Sequence, residues 1–279
     1  KMRKLILLLC VLLATFGLAS CSEESYPDGT EVPREEQFVV GLECAYQPFN
    51  WTEDKKTDTN YPISNIKGKF AEGYDVQIAK KSAAELGKTL VIKAIVWDSL
   101  ITSLDTTEID AIIAGMSDTE ERRVSVNFTN AYYTSEEVCV VLKNSKYATA
   151  TSINDFAGAT AIGQKDTLYA DLVTQLTGAN VGTPLASVPD IITAMMNGKC
   201  DVTVVEKPVA DGLTAAHSEL TFIEFDEANG FKVSPEDVAV CIALRKADTD
   251  LLEDINAILA TISDAERESL MATAVSQNS

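Results

Sequence analysis

The chain alternates short runs of β-branched and aliphatic residues with segments whose apolar positions recur every three or four residues. "QFVVGLE" (37–43) predicts a strand. "YDVQIAKKSAAELG" (74–87) predicts a helix with Val76, Ala79, Ala83 and Leu86 on one face. Gly87 stops it, because a residue without a Cβ takes the left-handed turn at a helix C-terminus at least cost. "TLVIKAIV", "WDSLITSL" and "DAIIAG" follow as strand, short helix and strand. The same alternation returns later, with strand "ATAIGQ", helices "LYADLVTQLTG" and "SVPDIITAMMNGK", and strand "DVTVVE". Strands alternating with helices predict parallel βαβ units, and hence an α/β chain built as two similar lobes.

Two further runs, "EEVCVVLK" (136–143) and "EDVAVCIALRK" (236–246), each place an acidic pair before alternating β-branched positions and close on a basic residue. They read as two strands crossing between the lobes. On that reading lobe one comprises 37–136 and 239–279, and lobe two comprises 137–238. Each lobe is a sheet flanked by helices. Ligands of open parallel sheets sit at the carboxyl ends of the strands, so the residues just after each strand are the candidates for function.

Composition adds a location. Lys1, Arg3 and Lys4 precede "LILLLCVLLATFG", an apolar stretch too short to span a bilayer of about 30 Å, so 1–20 reads as a secretory signal. It ends in "LASC", which resembles the lipobox of bacterial lipoproteins and makes Cys21 the expected lipid anchor, outside the cytoplasmic membrane. Loss of the three basic residues takes the formal charge from −19 to about −22. So acidic a chain lacks the basic footprint that nucleic acid or an anionic lipid surface demands, leaving the lipid to hold the membrane. Residues 21–36, acidic and poor in apolar positions, read as a flexible tether. Cys44, Cys139, Cys200 and Cys241 show no CxxC spacing and only His217 accompanies them. No metal site, redox dithiol or cofactor is expected, while buried thiols and one disulfide both remain open.

The chemistry concentrates in "AGMSDTEERR" (114–123), directly behind a predicted strand. Ser117 and Glu120 have capping-box spacing, which predicts a helix starting at Ser117, and Ala114 and Gly115 are small enough to let a ligand approach the backbone. Arg122 reads either as a surface pair with Asp118 or as a socket for a small anion.

"YQPFNW" (46–51), "GYDVQIAKK" (73–81), "VWDSLITSL" (96–104), "IDAIIAGMSDTEERRVSVNFTNAYY" (109–133) and "GKCDVTVVEKPVA" (198–210) together resemble the successive signatures of the polar amino-acid family of ABC-transporter solute-binding proteins, in order from about residue 37 to near the C-terminus. The resemblance implies a two-lobed periplasmic-binding-protein-like fold and a monomer that performs no chemistry. It would bind a free amino acid, with a polar or cationic side chain favoured, and deliver it to an ABC permease. Arg122 and Thr167, the latter in "GQKDTLYAD", would then hold the α-carboxylate. Glu206, with the Gly115 carbonyl and the Ser117 hydroxyl, would hold the α-ammonium. Tyr46 and Trp97 match the aromatic positions that sandwich the side chain, or else pack in the core. Glu43 stands where binders of basic amino acids carry an acid, or else is a rim carboxylate. Three features depart from the pattern: Glu206 where many relatives have aspartate, the charged Lys165 and Asp166, and the long connection 52–72. The scaffold also hosts dehydratases of carboxylated cyclic substrates, and that alternative would use Glu206 as an acid.

Overall fold

The computed structural model describes residues 31–277. The expected signal, the Cys21 anchor and most of the tether lie outside the described residues. The tether's last residues are held: Arg34–Glu36 form a 3-10 turn, and Arg34 forks onto both oxygens of Asp110 at 2.8 Å.

Two five-stranded sheets organise the chain. The first runs in the order Thr89–Ala94, Gln37–Leu42, Ala111–Ile112, Ala243–Arg245, Val126–Phe128. The second runs Asn180–Val181, Thr160–Ala161, Val202–Glu206, Glu137–Leu142, Leu220–Ile223. In each, the first three strands are parallel, as the strand–helix alternation predicts. The fourth is antiparallel to both its neighbours. That fourth strand is the one arriving from the other lobe, so it enters its sheet from the opposite end. All six residues of Gln37–Leu42 are buried, which accounts for its unbroken apolar run: a strand covered on both faces has no polar side.

The crossing itself is shorter than the sequence pattern implies. Tyr133–Thr134 pairs antiparallel with Ala239–Val240, and this two-residue ribbon joins the lobes. The longer runs continue past it, Glu137–Leu142 into the second sheet and Ala243–Arg245 into the first.

The helix Tyr74–Glu85 ends as the sequence predicts, with Gly87 at φ 64°. It packs against the two C-terminal helices, Thr249–Thr261 and Asp264–Ser276. The segment that looked like an overlong connection builds a small antiparallel sheet instead, from Ala45–Tyr46, Asn50–Glu53, Phe70–Glu72 and Tyr61–Pro62. Its strands are too short to show an alternating pattern. Cys44, Cys139, Cys200 and Cys241 are buried free thiols. Among the described residues no helix is long and apolar enough to cross a membrane, and no cluster of ligating side chains could hold a metal ion.

Candidate functional site

The carboxyl ends of both sheets face each other. Glu43 follows Leu42, Gly115 follows the Ala111–Ile112 strand, Gln164–Thr167 follow Thr160–Ala161, and Glu206 ends its own strand. Between them lies a tight cavity of about 10 Å³. Glu43, Tyr46, Trp97, Gly115, Ser117 and Arg122 line it from the first lobe, and Gln164, Thr167, Leu168 and Tyr169 from the second. Seven residues expected from sequence therefore meet in one place.

The start of the 114–123 segment differs from its capping-box spacing. Thr119, not Ser117, caps the short helix Glu120–Arg123, accepting the Arg122 amide at 3.3 Å. Ser117 is unavailable because its backbone bridges Val240, while the flanking bonds Asp118 N–H to Ala239 O and Cys241 N–H to Met116 O tie the segment to the crossing ribbon. Asp118 takes its fork from Arg123, at 2.6 and 2.7 Å, so the surface pair belongs to the neighbouring arginine. Arg122 turns inward, donating to Ser117 O at 2.9 Å and, across the cleft, to Asp166 O at 3.0 Å. Its guanidinium lies 5.2 Å from the Trp97 ring centroid. Among the described residues it forms no ion pair, and burial lowers its pKa.

Gly115 sits at φ 62°, and a Cβ there would meet the Tyr46 ring at 3.1 Å. Glycine is thus required twice, by backbone and by contact. Ala114 lies just beneath, buried in the lobe-one core with Leu100, Leu104 and Ile109, and does not line the cavity. Tyr46 is buried and stacks on Phe49 at 5.6 Å. Phe49 and Trp51 pack behind it rather than lining the cleft.

From the second lobe, Thr167 caps the helix Leu168–Leu172, accepting the Tyr169 amide at 3.2 Å and donating to Gln164 O at 2.7 Å. The charged loop before it, which departs from the family pattern, bridges the lobes. The Asp166 carbonyl, presented by a residue at φ 56°, accepts from Trp97 Nε1 at 3.0 Å as well as from Arg122, and Lys165 pairs with Asp98. Gln164 donates to Glu43 Oε1 at 3.2 Å. Tyr169 lines the cavity opposite Ser117, and burial raises its pKa well above the ordinary value. Gln164, Leu168 and Tyr169 were not foreseen. Their only sequence signal is that each lies within three residues of Thr167.

Glu43 and Glu206, the two carboxyl groups expected at the site, both have raised pKa values. Burial, helped by Asp98 and Asp190, pushes Glu43 up to about 7, with the Gln164 bond opposing. Glu206 does not line the cavity. It is 1% exposed at the end of its strand, neither of its carboxyl oxygens has a hydrogen-bond partner among the described residues, and burial pushes it up to about 8. The Tyr46 hydroxyl is likewise buried without a partner. A buried acid in this condition is costly unless a cation comes to meet it.

Comparison with known proteins gives a consistent picture. Residues 38–273 match the family model described as bacterial extracellular solute-binding proteins, family 3. The arginine-binding extracellular protein ArtP of Bacillus subtilis is 26% identical over 266 residues, covering 94% of each chain. An amino acid ABC transporter substrate-binding protein from Streptococcus pneumoniae, solved bound to L-arginine, superposes with a TM-score of 0.73 at 25% identity, over 87% of this chain and 95% of that one. The arginine-bound form of a truncated ArgBP from T. maritima gives 0.68 at 30% identity, over 82% and 97%.

Proposed function

The chain belongs to the bacterial extracellular solute-binding proteins, family 3, and from that premise we propose that its cleft encloses one free amino acid with a cationic side chain, arginine first, and hands it to an ABC permease. The observation that carries the reading is Glu206, a fully buried carboxyl group with both oxygens unpartnered, at the strand end of the lobe facing Arg122. A guanidinium on one lobe and a carboxyl on the other match the two ends of a zwitterion.

Arg122 would exchange its two backbone carbonyls for the ligand's α-carboxylate, which its planar fork fits through two parallel N–H bonds. Thr167 and the amide groups opening its helix would complete that carboxylate from the second lobe. Glu206, the Gly115 carbonyl and the Ser117 hydroxyl would surround the α-ammonium. The side chain would lie between Tyr46 and Trp97, whose faces attract a cation, and end at Glu43. A cavity of about 10 Å³ holds no amino acid. Entry would therefore separate the lobes at the 133–134 and 239–240 ribbon, and the ligand's contacts with both lobes would favour the closed form that the permease reads. Lipidation at Cys21 would keep the monomer at the membrane, and the lobe boundaries near 136 and 239 would mark the hinge.

A thermal-shift screen of the full chain against the free amino acids tests this directly. Arginine is expected to give the largest rise in melting temperature, and a screen with no response would remove the reading. Glu43→Gln is expected to weaken arginine and lysine by about tenfold, as the loss of one charge-assisted contact implies, while sparing glutamine. Equal losses in calorimetry for charged and neutral ligands would show Glu43 to be a rim carboxylate. The dehydratase alternative would employ Glu206, protonated at neutral pH, as its acid. Incubation with prephenate or arogenate is expected to yield no product.

A further inference from the structure

We propose that Asp75 is the positioning residue of the cleft, a buried carboxylate that fixes the two lobe-one ligand loops against each other through two separate hydrogen-bonded branches. Asp75 is fully buried, in the first turn of the helix Tyr74–Glu85. One branch runs through Asn50, whose Nδ2 donates to Asp75 at 2.8 Å while its Oδ1 accepts the Cys44 amide at 2.6 Å. Cys44 lies between Glu43 and Tyr46, at φ 57°. The other branch runs through Tyr132, whose hydroxyl donates to Asp75 at 2.6 Å and accepts the Gly115 amide at 3.2 Å.

Asn50 and Tyr132 are both wholly buried, so neither bond competes with water. The helix grips the first loop through its backbone as well: the Tyr74 and Asp75 amides donate to Pro48 O and Phe49 O at 3.1 and 2.8 Å. Tyr132 in turn reaches the crossing ribbon, its amide bonding Val240 O at 2.9 Å. Burial lifts the Asp75 pKa to about 6 while the bonds from Tyr132 and Asn50 oppose the rise, and each of its two oxygens accepts a hydrogen bond, as in an ionised carboxylate. An ionised acceptor makes the stronger, shorter kind of hydrogen bond. Asp75, Asn50 and Tyr132 do not line the cavity, so Asp75 acts only through the loops it holds.

This inference rests on the amino-acid reading of the cleft, and the two branches give it a signature of its own. The Gly115 loop would serve the α-amino group common to every amino acid, whereas the Cys44 loop carries Glu43, which would serve only a cationic side chain. Tyr132→Phe keeps the ring and cuts the branch to Gly115. It is expected to weaken L-arginine and L-glutamine alike, by about tenfold. Asn50→Ala cuts the branch to Cys44 and should weaken arginine about tenfold more than glutamine. Asp75→Asn keeps one acceptor oxygen and sets an amide donor against the donor of the other branch, so at least one of the two effects should appear.

In ligand-free, nitrogen-15-labelled protein, the Gly115 amide resonance should move in Tyr132→Phe, the Cys44 resonance in Asn50→Ala, and at least one of them in Asp75→Asn. The proposal is overturned if folded Asp75→Asn leaves both resonances in place. It is equally overturned if all losses are independent of ligand and simply follow melting temperature. If wild-type protein binds neither amino acid, the reading of the cleft fails, and the resonances still decide the role of Asp75. Should one variant not fold, the volume-conserving Tyr132→Phe carries the test alone.

Discussion

Arg122→Ala is expected to weaken amino-acid binding by about 3–5 kcal/mol, the scale on which an ionic group loses its partner in a desolvated site. The expectation follows from where the guanidinium sits. It is half-buried against the Trp97 ring and, among the described residues, bonded only to the carbonyls of Ser117 and Asp166, which are neutral acceptors. A carboxylate offers it a stronger bond at each prong. Arg122→Lys would keep the charge and lose the fork, so a large part of the deficit should persist. Calorimetry with arginine measures both variants. Near-wild-type affinity in Arg122→Ala would refute the assigned role, and a loss confined to Arg122→Ala would show that charge alone suffices. The variant should also loosen the lobes without ligand, because one bridge to Asp166 O disappears while that from Trp97 remains.

Much of this architecture is written in local pattern. Helix 74–85 and its glycine stop, the Ser187 cap of the helix Val188–Met196, and the buried strand 37–42 each follow from residues within one or two turns of one another. The features that escaped are those settled by partners far away in sequence. Ser117 has a capping residue's neighbours, yet its backbone is taken by Val240, more than a hundred residues on, and the cap passes to Thr119. Arg122 and Arg123 are adjacent and chemically identical. Only the tertiary fold decides that one meets Asp118 and the other meets the cleft. The small sheet spanning 45–72 is assembled from strands of two to four residues, below the length at which alternation is visible.

The site shows the same division. Family spacing brings Arg122, Thr167, Tyr46, Trp97, Ser117, Gly115 and Glu43 to one cavity, because each stands at a fixed offset from a strand end. Ala114 lies one residue from Gly115, in the bend that follows the strand, and still packs in the core. Gln164 owes its place to the cross-lobe bond it makes with Glu43, which no linear pattern encodes.

Binding at neutral pH is expected to release a proton, and affinity should rise by up to about tenfold per pH unit as the pH climbs toward 8. Glu206 is the source. Without a cation, burial raises its pKa from 4.5 to about 8, so the group is largely protonated at pH 7. An ammonium arriving beside it favours the ionised form, and the proton must leave. Calorimetry in buffers of different ionisation enthalpy counts that proton. Glu206→Gln should remove its share and flatten the pH profile, in addition to weakening binding. Glu43, raised to about 7, adds a second released proton for arginine but not for glutamine, so the two ligands should diverge in slope below pH 7.

The same group imposes the opposite trend on the ligand-free fold. A carboxyl whose pKa is raised on folding binds more protons in the native state than in the unfolded one. Its stabilising contribution is full below 4.5 and is lost as the pH rises through about 8. Ligand-free wild-type protein should therefore lose melting temperature between pH 5 and 8 relative to Glu206→Gln, and saturating arginine should restore it. A flat calorimetric profile, with no buffer dependence and no difference between wild type and Glu206→Gln, would place the ammonium elsewhere in the cleft.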